Sequence, residues 1–159
     1  MRILFVCMGN ICRSPTAEGV MRRLLADARL TGIEVESAGT GGWHAGEPPD
    51  ERATVAARRR GVTLEGAARQ VRADDFRKFD LLIAMDRANL GELLAQAPDE
   101  DAAEKVRLLR EFDPASAGAG DLDVPDPYYG GDRGFETVLD LVEASCRGLI
   151  DGLRSADRV

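Results

Sequence analysis

The chain has 159 residues, a length that one domain can close around a single core, and its 44% hydrophobic and 31% charged residues suit a globular fold rather than a disordered chain. A net charge of −7 argues against a nucleic-acid partner, because phosphate backbones are held by clustered Lys and Arg. No apolar run reaches membrane-spanning length, and Ile3-Leu4-Phe5-Val6 is too short for a signal-peptide core, so a cytoplasmic protein with no membrane partner is expected.

The three cysteines, an odd number without a secretory signal, do not make a disulfide framework; a reducing compartment and a chemically employed thiol fit them better. Arg58-Arg59-Arg60 is the sole basic cluster and reads as a solvated helix end.

In chain order, residues 2–6 form a short apolar β-type run. A Gly9-Asn10 turn follows, then a helical pattern with Ala17, Val20, Met21, Leu24, Leu25 and Ala28 on one side. Ile33 to Ser37 reads as the second strand, followed by a Gly-rich loop through Gly46 and a helix from about Asp50, whose carboxylate suits an N-cap. Phe79 to Met85 is the third strand, with Asp86 as N-cap of a helix carrying Leu90, Leu93 and Leu94. Lys105 to Leu109 is the fourth.

The stretch from Arg110 to Arg133 lacks periodicity and exceeds ordinary connection lengths, which marks it as functional or mobile. Its Ala-Ser-Ala-Gly-Ala-Gly part reads as mobile and Asp126-Pro127-Tyr128-Tyr129-Gly130-Gly131 as built. The final helix places Phe135, Val138, Leu139, Val142, Cys146, Leu149, Ile150 and Leu153 on a core-facing side, Cys146 among them as packing.

Strands alternating with helices predict an α/β three-layer sandwich, a single domain over residues 1–159, with a four-stranded parallel sheet and helices on both faces. Ligands of such sheets sit beyond the carboxyl ends of the strands, which directs attention to the loop from Cys7 to Arg13.

In that loop a cysteine and an arginine are separated by five residues, Met8, Gly9, Asn10, Ile11 and Cys12, at a strand-to-helix junction. This spacing wraps the backbone around one tetrahedral anion, with N–H groups inward and the helix N-terminus adding positive potential. Gly9 and Asn10 tolerate the dihedrals required, and Ser14-Pro15 suit a first helical turn. The Arg13 fork holds two phosphate oxygens at once, and the positive cup favours a Cys7 thiolate, a nucleophile for phosphorus. Asp126 in the long loop supplies a proton for the departing alcohol and then serves as base for water. This chemistry calls for no metal and no cofactor, and His44 is the single histidine.

Cys7 to Pro15 together with Asp126-Pro127-Tyr128-Tyr129 resembles the low-molecular-weight protein tyrosine phosphatase family. The likeness runs over nearly the whole chain, through Ser37-Ala38-Gly39-Thr40, Trp43-His44-Ala45-Gly46, Ala68-Arg69-Gln70 and Met85-Asp86. It implies hydrolysis of phosphotyrosine on a tyrosine-phosphorylated protein through a phosphocysteine, with inorganic phosphate and other oxyanions as inhibitors. By position, Cys7 resembles the nucleophile, Arg13 the phosphate clamp and Asp126 the proton donor. Ser14 resembles the hydroxyl that steadies the thiolate, and Asn10 the loop's brace. Trp43 with Tyr128 or Tyr129 would wall the cleft, and Cys12 resembles a second cysteine that in some members pairs reversibly with the nucleophile. Gly66 stands near the place where many members carry a histidine directed at the phosphate loop.

Two other functions fit parts of the pattern. An arsenate reductase of the same fold uses the same Cys-x5-Arg loop, but needs further cysteines to relay a disulfide, and after Cys12 the chain has only Cys146. A non-catalytic phosphate-binding module needs the loop but neither the thiol nor Asp126.

Overall fold

Arg2–Cys7 form β1, buried from Ile3 onward, as befits a central strand covered on both faces. The computed structural model describes residues 1–116, 118–128 and 131–157. Chain order continues with α1 (Arg13–Asp27), β2 (Glu34–Gly39), α2 (Glu51–Arg59), α3 (Asp75–Lys78), β3 (Leu81–Ala84), α4 (Arg87–Gln96), α5 (Glu100–Glu104) and β4 (Val106–Leu108). Two 3-10 turns, Leu109–Phe112 and Pro114–Ser116, precede α6 (Asp132–Asp157).

The four strands pair in parallel in the order β2-β1-β3-β4. Period-two alternation along β1 sends Ile3 and Phe5 to one face, where α1, α2 and α6 pack, and Leu4 and Val6 to the other, against Phe76 of α3, Leu93 of α4 and Ala102 of α5. The chain is therefore the α/β three-layer sandwich that the strand-helix alternation predicts. Because β1 is flanked by β2 and β3, the chain reverses its winding direction at β1, and a crevice opens beyond its carboxyl end.

Local chemistry fixes the helix starts. Asp50 accepts hydrogen bonds from Arg52 N (2.8 Å) and Ala53 N (3.1 Å), Asp86 from Asn89 N (2.8 Å) and Asp99 from Ala102 N (2.8 Å). The α6 face forms the largest slab of core, with Phe135, Val138, Leu139, Val142, Cys146, Leu149 and Ile150 all buried.

Several boundaries differ from the sequence reading. The third apolar run, Phe79 to Met85, pairs only over Leu81–Ala84, and the fourth only over Val106–Leu108; Phe79 is buried outside the strand, and Met85, also buried, adds one last hydrogen bond from its N to Val6 O (3.0 Å). An apolar run reports burial and not pairing. The second strand runs on to Gly39, because Gly39 pairs with Cys7 across the ladder. Leu94, assigned to the apolar side of α4, is exposed.

Arg60 corrects the reading of the basic cluster as simply solvated. Its guanidinium reaches Glu136 (2.5 Å), Asp140 (2.9 Å) and Glu143 (3.7 Å) on α6 and ties the end of α2 to that helix. In the long connection, Pro114–Ser116 is pinned by Asp113, which accepts from Ala115 N (3.0 Å) and Ser116 Oγ (2.8 Å). Ala117, Tyr129 and Gly130, which fall in the parts read as mobile and as built, lie outside the described residues. Among the described residues no helix is long and apolar enough to cross a membrane.

Candidate active site

Beyond the end of β1 the chain turns through Met8–Cys12 and enters α1 at Arg13. Donors outside this loop hold its carbonyls: Thr40 N to Cys7 O (2.9 Å), Gly41 N to Met8 O (3.0 Å), Asp50 N to Ile11 O (2.8 Å) and Thr16 Oγ1 to Cys12 O (2.7 Å). A trans peptide sets each N–H opposite the preceding C=O, so the amides of Met8, Gly9, Cys12 and Arg13 turn to the inner side. The amide of Asn10 donates to Cys7 Sγ at 3.3 Å. The loop is thus a nest of donors around the thiol.

Asn10 has φ +58°, a left-handed conformation that asparagine tolerates better than most residues. Its side chain has one possible orientation: Arg69 N can only donate, and it reaches Asn10 Oδ1 at 3.0 Å, which leaves Nδ2 to donate to Ser14 Oγ at 2.8 Å. The Ser14 hydroxyl then has its own hydrogen free for Cys7 Sγ at 2.9 Å, nearer than Ala38 O at 3.4 Å. The series Arg69, Asn10, Ser14 and Cys7 therefore delivers a hydrogen-bond donor to the sulfur.

Arg13 is 3% exposed. Its Nη1 donates to Asp86 Oδ2 (2.6 Å) and Val124 O (3.0 Å), and its Nη2 lies 3.5 Å from Asp126 Oδ2. Burial alone would lower its pKa, but Cys7, Asp86 and Asp126 together hold it above the ordinary value. The other Asp126 oxygen accepts from Tyr128 N (3.0 Å), an Asx turn that aims the carboxylate, and that side chain is 33% exposed.

A hollow of about 60 Å³ lies over Cys7, floored by Met8, Gly9, Ile11, Cys12 and Arg13 and walled by His44, Asp126 and Tyr128. This is a small recess, on the scale of one small anion. Cys7, Arg13 and Asp126, separated by up to 119 positions in sequence, meet here.

The remaining predicted residues fall as follows. Met8, Gly9, Asn10, Ile11 and Cys12 make up the loop; Asn10 and Ser14 do not line the hollow, and their side chains are linked to each other and, through the Ser14 hydroxyl, to Cys7 Sγ. Burial pushes the Cys12 thiol up to about 12, with the charges of Asp50, Cys7 and Asp126 adding to the rise. Tyr128 lines the hollow, and Tyr129 lies outside the described residues. Trp43, expected as a wall, does not line it; the indole is 73% exposed and lies over Gly41, where a Cβ would stand 1.7 Å from Cζ3. His44 lines the hollow in its stead, packed on Gly9, where a Cβ would come within 2.9 Å of its ring. Gly66, with φ +94°, lines a separate hollow of about 200 Å³ on the far side of Asn10.

Two participants escaped sequence reasoning. Asp86 reads as an N-cap, which it is, while its second oxygen holds Arg13; the signal was its position at the end of a strand adjacent to β1. His44 has no assigned role in the sequence, and only the meeting of two loops sets it over Gly9.

The model of the family described as Low molecular weight phosphotyrosine protein phosphatase matches residues 2–158. A low molecular weight protein-tyrosine-phosphatase of Streptomyces coelicolor is 53% identical over 96% of this chain and 93% of its own length. The human low molecular weight phosphotyrosine protein phosphatase is 39% identical over 94% of this chain and 93% of its own. A crystal structure of a protein tyrosine phosphatase from Entamoeba histolytica superposes with a TM-score of 0.92 at 39% identity, covering 99% of both chains.

Proposed function

The chain belongs to the low molecular weight phosphotyrosine protein phosphatase family, and we propose that it hydrolyses phosphotyrosine on proteins through a phosphocysteine formed at Cys7. The observation that carries this reading is the meeting of Cys7, Arg13 and Asp126 in one small hollow ringed by inward backbone amides.

In the first step Cys7 Sγ attacks phosphorus, the phosphorus–oxygen ester bond breaks, and the carboxylic acid of Asp126 gives its proton to the departing phenolic oxygen. The Arg13 fork and the loop amides take the phosphoryl oxygens, a charge they are already oriented to receive. In the second step the Asp126 carboxylate takes a proton from water, whose oxygen attacks phosphorus. The sulfur–phosphorus bond breaks, inorganic phosphate leaves, and the thiolate is restored with Ser14 donating to it. His44 and Tyr128, with ring centroids 6.1 Å apart, offer an aromatic mouth suited to an aryl ester.

Arsenate reduction receives less support. It requires a second thiol to attack the sulfur of the Cys7–arsenate adduct, forming a disulfide as the sulfur–arsenic bond breaks and arsenite leaves, whereas burial pushes Cys12 up to about 12 and Cys146 is enclosed in α6.

The reading is tested by hydrolysis of p-nitrophenyl phosphate and a phosphotyrosyl peptide against pH, with EDTA present. A bell-shaped profile unaffected by EDTA and abolished in Cys7→Ser is expected. Asp126→Ala should lower kcat roughly 10²–10⁴-fold, the usual worth of a positioned proton donor, with phosphate affinity nearly unchanged. Phosphate binding without turnover in the parent protein would leave the binding module as the better reading.

A further inference from the structure

A second and larger hollow, about 440 Å³, adjoins the mouth of the site in the angle between α2 and α6. Arg52, Arg59 and Arg133 stand around it, and Val55, Ala56 and Phe135 give it an apolar floor. Arg52 is met by Asp50 at 3.5 Å, so the positive charge the groove offers, in a chain of net charge −7, is that of Arg59 and Arg133. Two carboxylates also border it, Glu51 and Glu136, but Glu136 is engaged by Arg60 at 2.5 Å. Among the described residues no acid pairs with Arg59 or Arg133.

The groove and the Cys7 hollow share a wall. Arg52 Nη2 donates to Tyr128 O at 2.8 Å, and its guanidinium lies 5.7 Å from the Tyr128 ring centroid and 4.8 Å from that of Phe135. Tyr128 faces the Cys7 hollow, and Phe135 faces the groove. A chain whose phosphotyrosine enters the first and which runs on over Tyr128 meets the second. Arg52 and Arg59 are two turns apart on α2, about 10 Å, which an extended peptide covers in about three residues.

We propose that this groove docks acidic residues of the substrate chain lying within about four positions of the phosphotyrosine, an inference that rests on the phosphotyrosine reading above. The guanidinium forks of Arg59 and Arg133 receive the carboxylates while the stems of those side chains rest on the apolar floor. Exposed ion pairs are individually weak and screened by salt, so the preference is modest and falls on KM.

The test uses two phosphotyrosyl peptides of equal length, one with Glu and one with Gln at the flanking positions, and p-nitrophenyl phosphate, which has no flanking chain. For the parent protein a KM for the Glu peptide roughly three- to tenfold lower is expected, shrinking to parity near 1 M salt, where the screening length is about 3 Å. In the double substitution Arg59→Gln with Arg133→Gln, the preference should fall below about twofold while p-nitrophenyl phosphate kinetics stay unchanged. Equal KM values in the parent protein, or a preference that survives the double substitution, overturn the proposal. If the variant loses p-nitrophenyl phosphate turnover and so fails to fold, the salt series on the parent protein decides, and a salt-independent preference counts against the groove. Failure of the phosphotyrosine reading has a different signature: neither peptide is hydrolysed while p-nitrophenyl phosphate is.

Discussion

Arg13 Nη1 donates to Asp86 Oδ2 at 2.6 Å, so the guanidinium proposed to hold phosphate is oriented by the second residue beyond β3, across the topological switch point. Asp86 has two separable tasks, since its other oxygen caps α4 through Asn89 N. Asp86→Asn retains a good capping group and removes the charge facing Arg13. It is expected to leave the Tm almost unchanged and to lower kcat/KM roughly tenfold, the rate equivalent of ~1.4 kcal/mol. Asp86→Ala should lose that and about 1 kcal/mol of stability with the cap. Thermal melts beside p-nitrophenyl phosphate kinetics separate the two; equal activity in both parent and Asp86→Asn would leave Arg13 without need of this partner.

Asn10 joins a backbone requirement to a hydrogen-bond requirement. Asn10→Ala abandons Ser14 and the Arg69 amide and places a Cβ residue at φ +58° with no polar compensation. A loss of about 2–3 kcal/mol in urea unfolding is expected, together with a fall in kcat. Asn10→Gly relieves the backbone but restores neither hydrogen bond, so it should regain about 1 kcal/mol of stability and none of the activity. Recovery of kcat in the glycine variant would show that Asn10 acts through the backbone alone.

The sheet and the loop were legible in the sequence because both are local. The apolar run ending at Cys7 and the Cys-x5-Arg spacing each occupy one short segment, and Asp50, Asp86 and the α6 face announce themselves by capping and period. The short helices α3 and α5 carry too few residues for a period to register. Arg60 is hidden from sequence for another reason: its partners are on α6, 76 or more positions away, and nothing in Arg58-Arg59-Arg60 tells which of three arginines turns inward. Likewise the exchange of Trp43 for His44 at the hollow depends on which of two neighbouring side chains a loop directs toward Gly9. Sequence placed the loop and geometry chose the residue.

Cys12 and Cys146 resist ionisation in the folded protein. Burial first, and then neighbouring negative charges, push Cys12 and Cys146 each up to about 12 from 9.0. At pH 8 each is about one part in ten thousand thiolate, and iodoacetamide followed by mass spectrometry should modify Cys7 in the folded protein and all three cysteines after unfolding. The linkage has a definite sign. A thiol whose folded pKa is raised contributes stability that is complete below about 9 and is lost as pH rises toward about 12, so the Tm should decline above pH 9. Labelling of Cys12 at the rate of Cys7 would show that the loop opens far more readily than its burial implies, and would favour a Cys7–Cys12 disulfide under mild peroxide.

Two glycines of α6 make opposite predictions from one substitution. Alanine is the better helix former by about 1 kcal/mol, and at Gly152, where a Cβ meets nothing within 4 Å, Gly152→Ala should raise stability by up to that amount. At Gly148 a Cβ would stand 1.8 Å from Phe112 O and 2.8 Å from Phe112 C. These are backbone atoms of the 3-10 turn Leu109–Phe112 and cannot swing aside as a side chain would. Overpacking of this kind costs about 1–3 kcal/mol or more, which exceeds the gain in helix propensity, so Gly148→Ala should be destabilising in urea unfolding. The same turn begins the connection that carries Val124 to Arg13 and Asp126 to the hollow, so kcat should fall with stability at 148 and remain unchanged at 152. If Gly148→Ala instead matched Gly152→Ala in both measurements, the close packing of α6 against the Phe112 backbone would not exist in solution.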